Sequence, residues 1–195
     1  MSQRTIVRAT WLLLASGCSS VYRLPDSVAN DAALIPGEEL LEMTVDGEGV
    51  IGEVEFHTTL ERLPEAVRKA IDAELAGGTV VGCEKEYHGS TVYWEVEKSF
   101  GDLAKEVMFT ADGKVVSKEF QIRPGDAPRA VMDAADRAVS GGQMTSVEEV
   151  TEGGRKTYHV KKEKDRIRYK LIFTPEGELL RKLRELRAEI ELPVR

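Results

Sequence analysis

LPEAVRKAIDAELAGG at 63–78 and APRAVMDAADRAVSGG at 127–142 are one segment written twice. Pro64, Ala66, Val67, Ala70, Asp72 and Gly77-Gly78 recur as Pro128, Ala130, Val131, Ala134, Asp136 and Gly141-Gly142, all at one constant spacing. Further along, Glu84, Gly89, Val96, Lys98, Phe109, Thr110 and Gly113 recur at the same spacing as Glu148, Gly153, Val160, Lys162, Phe173, Thr174 and Gly177. An ungapped internal repeat makes each copy one supersecondary unit. It also argues against a single catalytic pocket, which gathers dissimilar residues from different parts of a chain.

Within the first copy, Pro64 suits the first turn of a helix. Val67, Ala70, Ile71 and Leu75 then place one apolar stripe on a charged segment, and Gly77-Gly78 ends it. The second copy offers Asp126 as a cap, Pro128 in the first turn, a stripe of Val131, Ala134, Ala135, Ala138 and Val139, and Gly141-Gly142 as the stop. Three strand-like runs follow each helix: 79–87, 91–100 and 103–110, then 143–150, 155–162 and 166–174. Period-two alternation is clearest where Ile167, Tyr169, Leu171 and Phe173 oppose Arg166, Arg168 and Lys170. Turns at Asp112-Gly113 and Glu176-Gly177 lead into a further strand each. For 178–192 both helix and strand spacings fit, and analogy with 114–122 favours strand. Ahead of the repeat, 40–45 and 50–57 flank Asp46-Gly47-Glu48-Gly49 as a hairpin. The expected fold class is therefore α+β: two tandem units, each a helix on an antiparallel sheet whose other face is open to water.

These residues carry a resemblance. Leu63-Pro64-Glu65-Ala66-Val67, Tyr93-Trp94-Glu95-Val96 and the run Val107 to Val116 with Asp112-Gly113-Lys114 resemble the PepSY-like family related to β-lactamase-inhibitor-type folds. The second copy departs from the pattern at Ala127-Pro128 and Glu176-Gly177-Glu178. The resemblance spans about Leu63 to Leu180. It implies secreted or envelope proteins that bind or inhibit other proteins, and it brings no catalytic residues.

The first residues read as an export signal. Arg4 and Arg8 precede the apolar run Trp11 to Ala15, which is too short to span a bilayer, and Ala15-Ser16-Gly17-Cys18 resembles a bacterial lipobox. The expected organisation is a signal peptide at 1–17, a lipidated Cys18 with a tether at 18–37, a first PepSY-like unit at 38–122 and a second at 123–195. An ordinary signal peptide cut near Gly17 is the alternative. Ser19 after the cysteine resembles default sorting to the outer membrane. Cys83 is then the one remaining cysteine, so stability must come from packing and not from an internal disulfide.

Chemistry is scarce. Gly47-x-Gly49-x-x-Gly52 matches a dinucleotide fingerprint by letter, but a strand-like run follows it where a helix N-terminus is required. His57, His88 and His159 lack a second His or Cys at ligand spacing, so no metal site and no cofactor is expected, and each reads as a solvated residue. Cys83, Trp94 and Tyr158 are assigned to the core, Cys83 on the same strand face as Val81. Carboxylates on an open face read as solvated.

Charge is the sharpest signal. Residues 155–187 hold twelve Lys/Arg against five Asp/Glu, a net of +7, while 19–154 hold twelve against twenty-seven, a net of −15. On the strands, the open face of the first copy collects Glu84, Glu86, Tyr93, Glu95, Glu97 and Glu106. The same face of the second collects Glu148, Thr157, His159, Lys161 and Lys170, with Arg155, Arg166 and Arg168 beside them. Such faces are hydrated, or attract one another and set the angle between the units, or form a two-toned docking surface, because complementary fields select partners. The candidate binding residues are Tyr93, Glu95, Glu97, His159, Lys161, Arg166, Arg168 and Lys170. The basic half could instead meet anionic lipid. Loss of Arg4 and Arg8 with the export signal takes the net charge from −7 to −9, and that charge together with the envelope compartment argues against a nucleic-acid partner. The expected function is a non-enzymatic envelope lipoprotein that binds another envelope or secreted protein. The alternative is a carrier of a lipid or cell-wall fragment.

Overall fold

The computed structural model describes residues 41–186. The export signal, Cys18, the tether and residues 187–195 lie outside the described residues. Ten strands run in chain order: β1 (Leu41–Val45), β2 (Ile51–His57), β3 (Thr79–His88), β4 (Thr91–Phe100), β5 (Leu103–Thr110), β6 (Val115–Gln121), β7 (Gln143–Glu152), β8 (Arg155–Lys164), β9 (Ile167–Phe173) and β10 (Leu179–Glu185). Helix α1 (Glu65–Glu74) lies between β2 and β3, and α2 (Arg129–Ala138) between β6 and β7.

The two-unit arrangement is overturned. Every strand pairs antiparallel with its sequence neighbours in one continuous sheet, curled into a half-barrel and mostly β in content. The reason is at the seam. β6 pairs with β5 on one side and with β7 on the other, from Ser117 opposite Glu152 to Gln121 opposite Glu148, so no sheet edge separates the recurrences. That register is the β2–β3 register moved by one repeat length, since Glu53 faces His88 and His57 faces Glu84. Indeed β2, β6 and β10 begin at corresponding points of the period, at Ile51, Val115 and Leu179. The period therefore includes the leading hairpin, which sequence reading had set outside it.

The helices lie on one face of the sheet, and the core forms beneath each. Leu63, Val67, Ile71 and Leu75 pack on Cys83, Trp94, Val96, Val107 and Phe109. Val131, Ala134, Ala135 and Val139 pack on Val147, Tyr158, Val160, Leu171 and Phe173. A side chain such as Phe109, fully buried, contributes about 1.5–3 kcal/mol. Pro64 and Pro128 stand just before the first helical residue, and no side-chain hydrogen bond caps either helix; Asp126 sits in a short 3₁₀ turn instead. Cys83 is buried, and burial pushes its thiol up to about 11, which makes it a core hydrophobe. Val81 does not join it. A β-bulge between Val80 and Gly82 breaks the alternation and turns Val81 out, 56% exposed.

Two lysines of the repeat are buried in this core. Lys98 Nζ donates to Asp72 Oδ1 and to the Leu75 carbonyl, each at 2.9 Å, and Lys162 Nζ donates to Asp136 Oδ1 at 2.6 Å. Their stems cross the apolar layer and their ammonium groups reach an acid on the helix, joined for Lys98 by a carbonyl at the helix C-terminus. Lys162→Ala, which removes both stem and ion pair, is expected to cost about 2–4 kcal/mol in urea denaturation. Lys162→Met, which keeps the stem volume, should cost clearly less. Equal losses would show that the stem packs nothing.

Candidate functional site

Alternation sends the residues between the core positions to the opposite, concave face of the curled sheet. A groove of about 370 Å³ runs along it, and apart from Gly82, Met108 and Val150 its lining is Glu, Ser, His and Lys. The carboxylates were expected to be solvated. They are not: Glu86 is 3% exposed and Glu148 8% exposed. The curl folds the face on itself, which alternation cannot reveal.

Cross-strand register brings like charges together. His57 faces Glu84, which faces Glu95. In the next row Glu97 faces Glu106, which faces Glu119. Glu55 faces Glu86. Like charges directly opposite are destabilising in a sheet, and burial adds to the penalty. Burial, then the neighbouring Glu86, pushes the Glu55 carboxyl up to about 8. Burial, then Glu119, pushes Glu106 up to about 8. Burial and Glu86 raise Glu95, and burial raises Glu84. The histidines are half-buried and paired with carboxylates. His57 Nε2 lies 3.2 Å from Glu84, and His88 Nε2 lies 2.9 Å from Glu86, whose hydrogen bond raises the imidazole.

The second half repeats the niche with other chemistry. Glu55, Glu84, Glu95, Glu97 and Glu106 become, one repeat later, Glu119, Glu148, His159, Lys161 and Lys170. Lys161 Nζ lies 3.3 Å from Glu148 Oε1, and His159 Nδ1 lies 3.5 Å from Glu119 Oε2. Burial pushes the Glu119 carboxyl up, but His159 and Lys170 outweigh it and hold the group below the ordinary range; burial and Glu119 raise Glu148.

Of the candidate binding residues, the structure gathers Glu95, Glu97, His159, Lys161 and Lys170 in the groove. Tyr93 stands on the same face, its ring 4.9 Å from that of His88. Arg166 and Arg168 are not among the groove's residues. Arg166 occupies the exposed β8–β9 turn with φ 64°, and Arg168 is exposed and paired with Glu185 at 3.1 Å. Sequence reading missed Glu53, Glu55 and Glu119 by leaving β2 outside the period and assigning β6 no face. The signal was present, because Glu53, Glu55 and His57 alternate with Val54 and Phe56.

Among the described residues no helix is long and apolar enough to cross a membrane. No family profile matches the sequence, and no curated protein matches it. Similarity appears in solved structures. A DUF2874 family protein from Bacteroides uniformis aligns with a TM-score of 0.51 at 21% identity, over 62% of this chain and 88% of its own. A BLIP-like protein from Bacteroides fragilis aligns with a TM-score of 0.50 at 18% identity, over 67% and 93%. A protein from Bacteroides eggerthii described as periplasmic aligns with a TM-score of 0.52 at 23% identity, over 63% and 88%. The fold is thus similar to that of BLIP-like periplasmic proteins, and none of the three is described as PepSY or as a tandem repeat.

Proposed function

We propose that this chain is a non-enzymatic lipoprotein of the cell envelope, held at the outer membrane through Cys18. Its concave face binds another envelope or secreted protein and can thereby inhibit it. One observation carries the reading: the concave face sets half-buried carboxylates of like charge opposite one another. The fold does not need them, since the helix side already supplies the core. Destabilising charge that serves no packing is characteristic of a surface built for a partner. The fit is to a protein with basic side chains for the Glu84–Glu95–Glu106 end and acidic ones for Lys161 and Lys170. A lipid carrier is less well supported, because apolar ligands take mostly apolar walls and this lining is charged.

The test is affinity capture from solubilised native envelope with three variants beside the wild type. Lys161→Glu with Lys170→Glu, and separately Glu95→Lys with Glu97→Lys, should each lower recovery of one protein by at least about tenfold. Arg168→Glu, outside the groove, should leave it unchanged. Loss with Arg168→Glu alone, or equal recovery by every variant, would move the binding surface off the groove.

A further inference from the structure

We propose that Glu119, Glu148 and His159 form a binding site for a divalent transition-metal ion of the zinc class, independent of the partner reading. The three residues sit on adjacent strands β6, β7 and β8 at the seam of the two recurrences, and one ligating atom from each lies within 4.8 Å of the other two. The second observation is what these atoms lack. The Glu148 side chain is nine-tenths buried, and its Oε1 accepts from Ser146 Oγ at 2.8 Å and lies 3.3 Å from Lys161 Nζ. Its Oε2 is buried with no hydrogen-bond partner, and so is His159 Nδ1, which meets Glu119 Oε2 only at ion-pair distance, 3.5 Å. An unmade hydrogen bond on a buried group costs about 1–3 kcal/mol, so two in one cluster call for a shared ligand.

The donor set selects the ion. One imidazole nitrogen with two carboxylates suits zinc-class metals and leaves a fourth position open, whereas calcium takes oxygen ligands only. The corresponding niche of the first half, Glu55, Glu84 and Glu95, offers oxygen alone; His159 in place of Glu95 changes the preference. Zinc ligands bind at about 2.0–2.2 Å, so the triad closes on an ion with side-chain movement of the order of 1 Å. Ser146 and Lys161 hold Oε1 as outer-shell partners and leave Oε2 to bind. The Lys161 and Lys170 charges oppose the ion and moderate its affinity.

The experiment is calorimetric titration of ZnCl₂ into the chelator-stripped full chain, with CaCl₂ as control and melting measured with and without metal. We expect one zinc ion per chain, a raised melting temperature and no such effect of calcium. His159→Gln, which removes a ligand, should weaken binding by at least about tenfold. His159→Gln should melt normally without metal, which separates lost binding from lost fold. Co²⁺ absorption gives a second readout, since loss of the imidazole ligand changes the visible spectrum. No stoichiometric binding by the wild type would overturn the site and leave the two carboxyls held by a shared proton. Zinc binding untouched by His159→Gln would overturn it too, placing the ion among other carboxylates.

Discussion

The melting temperature falls by roughly 5–10 °C as the pH is raised from about 5.5 to about 8.5. Glu55 and Glu106 have ordinary values of 4.5 and folded values of about 8. Between those limits the folded chain keeps protons that the unfolded chain releases, so stability decreases with pH; it is fully present below 4.5 and lost as pH climbs through about 8. Glu84 and Glu95 are displaced in the same direction. So is His88, whose contribution is present below 6.5 and lost as pH rises through its folded value. Glu119 runs the other way, but its contribution disappears only on acidification below 4.5, outside the range. A full unit of displacement corresponds to about 1.36 kcal/mol, and after discount for solvent in the groove the sum is about 2–4 kcal/mol. Glu95→Gln and Glu106→Gln should each raise the melting temperature at the alkaline end and flatten the profile. A flat or rising profile in the wild type would mean that the concave face is hydrated like any open surface.

The second large effect belongs to the backbone. Gly113, in the β5–β6 turn, has φ 82°, and a Cβ there would stand 2.7 Å from the Ala66 carbonyl oxygen in the first turn of α1. Gly177 repeats this under Ala130, with φ 84°. Gly49 has a corresponding turn and φ 83°, but nothing lies within 4 Å of its would-be Cβ. The three glycines thus separate two contributions. Gly49→Ala carries left-handed strain alone, about 1–2 kcal/mol. Gly113→Ala and Gly177→Ala add a collision with helix backbone and should lose about 3 kcal/mol or more, roughly 8 °C or beyond. Thermal unfolding of the three variants checks this. Equal losses at Gly49 and Gly113 would refute close turn–helix packing.

Much of this was legible in the residues. The helices and most strands fall where apolar period and glycine stops put them, and β4 and β5 match to the residue. The terminal β10 is strand, as its correspondence with β6 suggested. What escaped was non-local. A repeat states that two segments are alike, not whether β6 pairs with β7, and that pairing joins the strands of both recurrences into one sheet. Alternation assigned Glu95, Lys161 and Lys170 to the concave face but could not show that the face curls far enough to bury Glu86 and Glu148. Val81 was misplaced because a bulge leaves no mark in a run of Val and Gly.

The recurrence of β2, β6 and β10, each entered through a turn glycine at 49, 113 or 177, has a consequence for how such a chain can change its length. Each join presents the same kind of turn and nearly the same φ, so residues 115–178 form a cassette with matching ends. A further copy inserted after residue 178 would add one helix and four strands without redesign of any junction. Growth or loss by whole cassettes would leave every described junction as it is.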